Sequence, residues 1–195
     1  IPLSVLWIVG IINAINLIDG LDGLASGISL IMLITLSWLA HEMGKIELML
    51  LMIVLIGSLV SFLSFNRPPA SIFMGDSGSY FLGYLVAILS IWVCEKSSGT
   101  VSLFPLLILA VPIIDTTFSI FRRFLKGIPF YSADKDHLHH RLLSKGLTPT
   151  QAVFILSGIS IIYGSLALSA HYFPEFQSYV YSSGIGLIWV LLYFL

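Results

Sequence analysis

Asn13, Asn16, Asp19 and Asp22 recur every third residue in the stretch NAINLIDGLDGLA, where an apolar run comes to its end. Continued as a helix, that spacing lines two amides and two carboxylates along one face. Paired carboxylates can bind a divalent cation, take a proton or raise each other's pKa. Gly20 and Gly23 allow close backbone approach or a helix break. The bland alternative is a helix end whose Asp and Gly residues simply meet water. Four polar residues in register, entering from within an apolar run, argue against it. A second constellation is Asn66-Arg67-Pro68-Pro69, followed by Gly75-Asp76-Ser77-Gly78-Ser79. The prolines end a helix or hold an extended connection. Beyond them come a carboxylate, two hydroxyls and backbone N–H groups at a helix start, a suitable place for phosphate oxygens. Asp76 is a hard oxygen ligand of the kind Mg²⁺ takes alongside substrate phosphates. The competing role is capping, with Asp76 or Ser77 as the N-cap. The third constellation is Asp134-Lys135-Asp136-His137-Leu138-His139-His140-Arg141. Its histidines have zinc-ligand chemistry. With Cys94 the single cysteine and Mg²⁺-type carboxylates elsewhere, hydrogen bonding to an anionic substrate is the preferred reading. Arg122, Arg123 and Arg141 add phosphate-complementary charge. A loop that binds anionic lipid would use the same basic residues but would leave the histidines unexplained.

The elements that carry these motifs are apolar. Of 195 residues, 57% are hydrophobic and 10% charged, with mean hydropathy +1.01. Water-facing domains carry roughly 25% charged residues, so much of this surface must meet lipid. A membrane-spanning helix needs about 20 apolar residues. Seven runs qualify approximately: 1–18, 24–40, 46–65, 80–94, 102–121, 152–173 and 179–195. The fourth is short and reads as beginning inside the preceding loop. Helices are expected because an open sheet leaves backbone groups unsatisfied in lipid. The expected fold is therefore an all-α, polytopic transmembrane bundle forming one domain over 1–195. Lys and Arg orient it. Arg67, Arg122, Arg123, Lys126, Lys135, Arg141 and Lys145 fall on one side, and only Lys45 and Lys96 on the other, which makes the motif-bearing side cytoplasmic. Asp115 lies roughly two turns before the cytoplasmic end of the fifth run. Pro112 is placed to kink that helix, and Asp115 is expected to pair with Arg122 or Arg123 and so position the loop.

In order and over nearly the whole chain, NAINLIDGLDGLA, FMGDSGSYFLG, VPIIDTTFSIFRR and DKDHLHHRLL resemble the polyprenyl-phosphate N-acetylhexosamine-1-phosphate transferases. The resemblance implies transfer of a sugar 1-phosphate from a UDP-N-acetylhexosamine to undecaprenyl phosphate at the cytoplasmic face of the inner (plasma) membrane, with release of UMP. Leu138 interrupts the histidines, whereas the peptidoglycan translocase branch has three in a row. The similarity is therefore to the branch that uses UDP-N-acetylglucosamine or a related sugar to initiate O-antigen, enterobacterial common antigen or teichoic acid linkage. The expected cofactor is Mg²⁺, with Mn²⁺ as a substitute, on Asp76 and Asn16. Asp19, Asp22, Asp76 and His137 are expected to be catalytic. Asn13, Asn66, Ser77, Arg123, His139, His140 and Arg141 are expected to bind substrate. Membrane lipids are expected partners, nucleic acid is not, and a homodimer is compatible with the sequence.

Two rivals belong to other classes. A cation-coupled transporter should carry polar residues through several spans, and beyond Asp115 the sequence does not. A non-catalytic scaffold leaves the carboxylates and histidines without a role. The family also carries an adjacent aspartate pair ahead of the first motif, which has no counterpart before Asn13 here. With Ile1 as its first residue, the chain reads as truncated at its N-terminus, and this stretch alone is expected to be inactive or severely impaired.

Overall fold

A computed structural model describes residues 2–95, 101–127 and 137–194, with side chains through residue 189. Among the described residues the regular structure is helical: α1 (Pro2–Ile18), α2 (Leu24–Glu42), α3 (Ile46–Asn66), α4 (Gly75–Cys94), α5 (Phe104–Ile108), α6 (Ala110–Leu125), α7 (Leu138–Ser144), α8 (Pro149–Tyr172) and α9 (Gln177–Phe194). The protein is thus a helical membrane protein, as its apolar runs require. α2, α3, α4 and α8 are long and apolar enough to cross a membrane. The expected count of about seven is not reached by that measure: α9 is not among these four, and two other runs fall short for structural reasons. α1 has 17 residues. The fifth run is broken at Leu109, which leaves α5 and α6 too short. Pro112 explains the break, because it has no N–H to donate to the Ile108 carbonyl, where α5 ends. The fourth run is longer than its apolar core and starts at Gly75.

α2 lies at the centre, packed on α3, α4 and α8, and buries residues around much of its circumference. α3 rests on α2 and turns most of its surface outward, as a lipid-facing helix does. α1 lies along α4 and α6. Small residues set these approaches. A Cβ on Gly83 of α4 would stand 2.8 Å from the Ile12 Cα of α1, and one on Gly164 of α8 would stand 2.7 Å from Thr35 Oγ1 of α2. α8 begins with a capping box, the Thr148 hydroxyl accepting from the Gln151 N–H and the Gln151 side chain accepting from the Thr148 N–H. At the opposite end of the bundle, Lys45 Nζ donates to the carbonyls of Trp92 at 2.7 Å, Val93 at 3.0 Å and Glu95 at 2.7 Å. That ammonium satisfies the last carbonyls of α4 and counters their partial negative charge. Cys94 beside it is buried, as a small apolar side chain should be.

The α1–α4 contact can be tested at Gly83. Alanine there should gain about 0.5–1 kcal/mol of helix propensity and lose about 1–3 kcal/mol to overpacking against backbone. The Gly83→Ala protein should therefore unfold at lower temperature in detergent. A melting temperature equal to or above the parent's would show that the helices do not need this approach.

Candidate active site

The first motif does not continue as a helix. α1 stops at Ile18, and Gly23, at φ 77° in the left-handed region, opens α2. Asp19 and Asp22 therefore occupy a tight turn instead of extending a stripe from Asn13. Asn13 is exposed on α1 and donates to the Val9 carbonyl at 2.7 Å. Asn16, one turn on, faces α4 and donates from Nδ2 to Asp76 Oδ1 at 3.0 Å and to Ser79 Oγ at 2.9 Å. Both its amide hydrogens go to α4, so Asn16 orients Asp76 and keeps only its carbonyl oxygen for a ligand.

The second motif closes on the same turn. Asp22 Oδ2 accepts the Ala70 N–H at 3.0 Å. Asn66 is buried, its Oδ1 accepting from the Gly23 N–H at 3.2 Å and from Ser26 Oγ at 2.7 Å, while its Nδ2 donates to the Ile72 carbonyl at 2.9 Å. That amide is spent on holding the end of α3 to the start of α2. The structure therefore gives Asn66 a positioning role in place of the expected contact with substrate. Capping does not account for Asp76 or Ser77 either. Met74 is the N-cap residue of α4, no side chain caps it, and both residues stand exposed in the first turn. Ser79 is buried behind Asp76 and joins the site through Asn16.

Three carboxylates now share one end of the bundle, and the electrostatics register it. Burial, then the charge of Asp76, then that of Asp22 push the Asp19 carboxyl from 3.8 up to about 6. Asp76 also stands exposed in the first turn of α4.

The histidine motif packs onto the same turn. His137 precedes α7 and is buried; its Nδ1 lies 2.9 Å from Asp115 Oδ2, and the Leu138 N–H donates to Asp115 Oδ1 at 2.7 Å. Asp115 thus positions the loop as expected, but through His137 and Leu138 where Arg122 or Arg123 was the expected partner. His139 is buried against Gly20, where a Cβ would collide with its imidazole, and its Nε2 has no hydrogen-bond partner. Burial, then neighbouring His140, lower its pKa from 6.5 to about 4, with Asp115 opposing, so it is neutral near pH 7. The His137 and His139 rings are parallel to within 3° at 5.9 Å, and His140 lies 4.2 Å from His139 on the exposed side. Arg122, Arg123 and Arg141 are half-buried in the last turn of α6 and in α7. Asp134 and Asp136 lie outside the described residues. The close approach that the sequence allows at Gly20 is taken up by the His139 ring, a partner no spacing pattern indicates. Asp115 was visible in the sequence as an ionisable group inside an apolar helix, which is a functional signal in its own right.

Fold and site together define a polytopic membrane protein with a carboxylate–histidine cluster at one end of its bundle. Residues 1–94 match the family described as Glycosyl transferase family 4. Over 112 residues, 57% of this chain and 31% of the relative, the chain is 50% identical to the probable undecaprenyl-phosphate N-acetylglucosaminyl 1-phosphate transferase of Bacillus subtilis. It is 37% identical over 112 residues, 51% of this chain and 28% of the relative, to the decaprenyl-phosphate N-acetylglucosaminephosphotransferase of Mycobacterium leprae. It is 30% identical over 108 residues, 53% of this chain and 29% of the relative, to the undecaprenyl-phosphate alpha-N-acetylglucosaminyl 1-phosphate transferase of Escherichia coli. The chain spans under a third of the length of these relatives. The family resemblance read from the motifs is borne out.

The raised pKa of Asp19 sets a pH-dependent stability. Below 3.8 the carboxyl is protonated whether the chain is folded or not, and no penalty exists. Between 3.8 and about 6 the unfolded chain ionises first, so stability falls as pH rises, and above about 6 the penalty is complete. Asp19→Asn should therefore melt higher near neutral pH by roughly 2–4 °C, the response to about 1 kcal/mol once solvent screening of this half-buried group is allowed for. The gain should shrink as pH is lowered through 6. A pH-independent difference in melting temperature would contradict the charge origin.

Proposed function

We propose that the protein transfers N-acetylglucosamine 1-phosphate from UDP-N-acetylglucosamine to undecaprenyl phosphate at the cytoplasmic face of the plasma membrane, releasing UMP and initiating a cell-envelope polysaccharide. The observation that carries this reading is the meeting of the motifs. Asn16 of α1 holds Asp76 of α4, and Gly20, between Asp19 and Asp22, seats His139. One end of the bundle thus offers carboxylates for a cation and imidazoles for phosphate.

In this reaction an oxygen of the lipid phosphate forms a bond to the β-phosphorus of the nucleotide sugar. The bond from that phosphorus to the bridging oxygen breaks, and UMP leaves with the electron pair. Both reactants are anions, so alignment and charge compensation are the main demands on the protein. Asp76 and Asp19 have the hard-oxygen chemistry that suits Mg²⁺, and their repulsion, felt at Asp19, is what a divalent cation relieves. Among the described residues no three His, Cys, Asp or Glu groups converge to hold a metal by themselves. That fits an ion that keeps waters and substrate phosphates in its shell. When bound, Mg²⁺ supplies Lewis-acid polarisation and charge neutralisation at phosphate oxygens. Asn16 keeps Asp76 in place. Asp19 stands beside it, where its carboxylate can accept the last proton of a phosphate monoester, whose second ionisation lies at about 6. His139 is neutral and His140 exposed, so they receive donor-substrate phosphates together with Arg123 and Arg141. Ser77 adds a hydroxyl in the first turn of α4.

The acceptor's tail also has a place. An apolar groove of about 1030 Å³ runs between α1, α5 and α6, lined by Leu6, Trp7, Ile11, Leu106, Ile113 and Ile120. It reaches Ala14, two residues from Asn16, so a prenyl chain lying there would deliver its phosphate to the polar end.

Asp76→Ala tests the assignment in the protein expressed from its complete coding sequence. With UDP-N-acetylglucosamine and undecaprenyl phosphate, Mg²⁺-dependent UMP release should fall roughly 100-fold or more, the scale of losing one charge-stabilising group. Turnover equal to the parent's would remove Asp76 from the metal site and this mechanism with it.

A further inference from the structure

Asp115 and His137 form a pair that the transfer chemistry above leaves unused. Both are buried, with side-chain exposures of 2% and 5%. The carboxylate reaches from α6 to the entrance of α7 and takes one contact on each oxygen, His137 Nδ1 on Oδ2 and the Leu138 N–H on Oδ1. Leu138 is the first residue of α7, and His137, the N-cap residue, supplies no side-chain cap. Asp115 therefore serves as the cap of α7 from another helix.

We propose that Asp115 is a positioning residue that fixes the tautomer of His137, holding the hydrogen on Nδ1 and leaving Nε2 as the lone-pair nitrogen. The chemistry of the contacts requires this. Leu138 N–H is a donor under any conditions and is taken by Oδ1, and a carboxylate oxygen accepts, so Oδ2 is satisfied when Nδ1 carries the hydrogen. The two ring nitrogens lie on different edges, so Nε2 is presented away from Asp115. The His137 ring is parallel to that of His139, which sits on Gly20 between Asp19 and Asp22. An imidazole in this tautomer accepts a proton or a hydrogen bond at Nε2; in the other it can only donate there. Both partners are buried, and the same carboxylate holds the backbone next to His137.

The role in turnover rests on the transferase reading, but the tautomer does not, and the test separates them. Asn at position 115 keeps one oxygen for the Leu138 N–H and turns an NH₂ group toward Nδ1. The α7 cap survives while the hydrogen on His137 is driven to Nε2. In full-length protein labelled with ¹⁵N-histidine, the His137 resonances, assigned by their loss in His137→Gln, should show Nδ1–H in the parent and Nε2–H in Asp115→Asn. In the UMP-release assay, kcat of Asp115→Asn should fall roughly 100-fold or more, with KM for the nucleotide sugar within about threefold. Its melting temperature should stay close to the parent's, whereas Asp115→Ala should lose both cap and activity. An unchanged tautomer in Asp115→Asn overturns the proposal. So does an inverted tautomer with kcat unchanged while Asp76→Ala is inactive. Inversion in a protein whose parent releases no UMP leaves the positioning established and refutes the transferase reading alone.

Discussion

The polar end of this protein depends on how closely α1 and α4 approach. Gly83 removes the side chain that would hold the two backbones apart, and Asn16 then lies within hydrogen-bond reach of Asp76 and Ser79. In lipid there is no hydrophobic drive between apolar helices, so this steric fit and the bonds at its end decide the geometry. The Asp19–Gly23 turn and the 67–74 connection follow from it. Each is tied to the other by backbone N–H groups donated to Asp22 and Asn66.

The cluster built on that contact stores opposing electrostatics side by side. Asp19 is held in a repulsive field that makes its charge costly, while His139 is kept neutral by burial. Neither arrangement favours stability. Both would suit the proposed reaction, in which one highly charged phosphate ligand replaces another, because the protein's own charge is then least settled where the ligand's charge arrives. Sites of this kind commonly trade stability for function.

The apolar runs were legible because lipid demands them, and each is helical, the fifth as two helices, α5 and α6. Sequence pattern gave way where a single residue redirected the chain. The turn closed by Gly23 takes Asp19 and Asp22 out of the every-third-residue stripe, while Asn13 and Asn16 stay on α1. Pro112 was expected to kink a helix, and instead the helix ends at Ile108, the residue whose carbonyl it cannot serve. The polar motifs were legible by residue type but not by role. Asn66 has the chemistry of a ligand contact, and only its three partners reveal a staple. The bond from Asp115 to His137 spans 22 residues, with residues 128–136 intervening, and no periodicity links the two positions. Zinc ligation was the less favoured reading of the histidines, and in the fold His137 is directed to a carboxylate and His139 to a glycine.

Lys45 gives α4 a property that neither end alone has. Its ammonium sits on the last carbonyls of the helix, while Asp76 stands in the first turn at the other end. The helix dipole is therefore matched at both poles by opposite charges that each prefer the water boundary. A helix held only by apolar length can slide along the membrane normal with little resistance. This one cannot move either way without drawing a charge toward hydrocarbon. Lys45 thereby acts as a depth gauge, setting from the far end of α4 the level at which Asp76 stands.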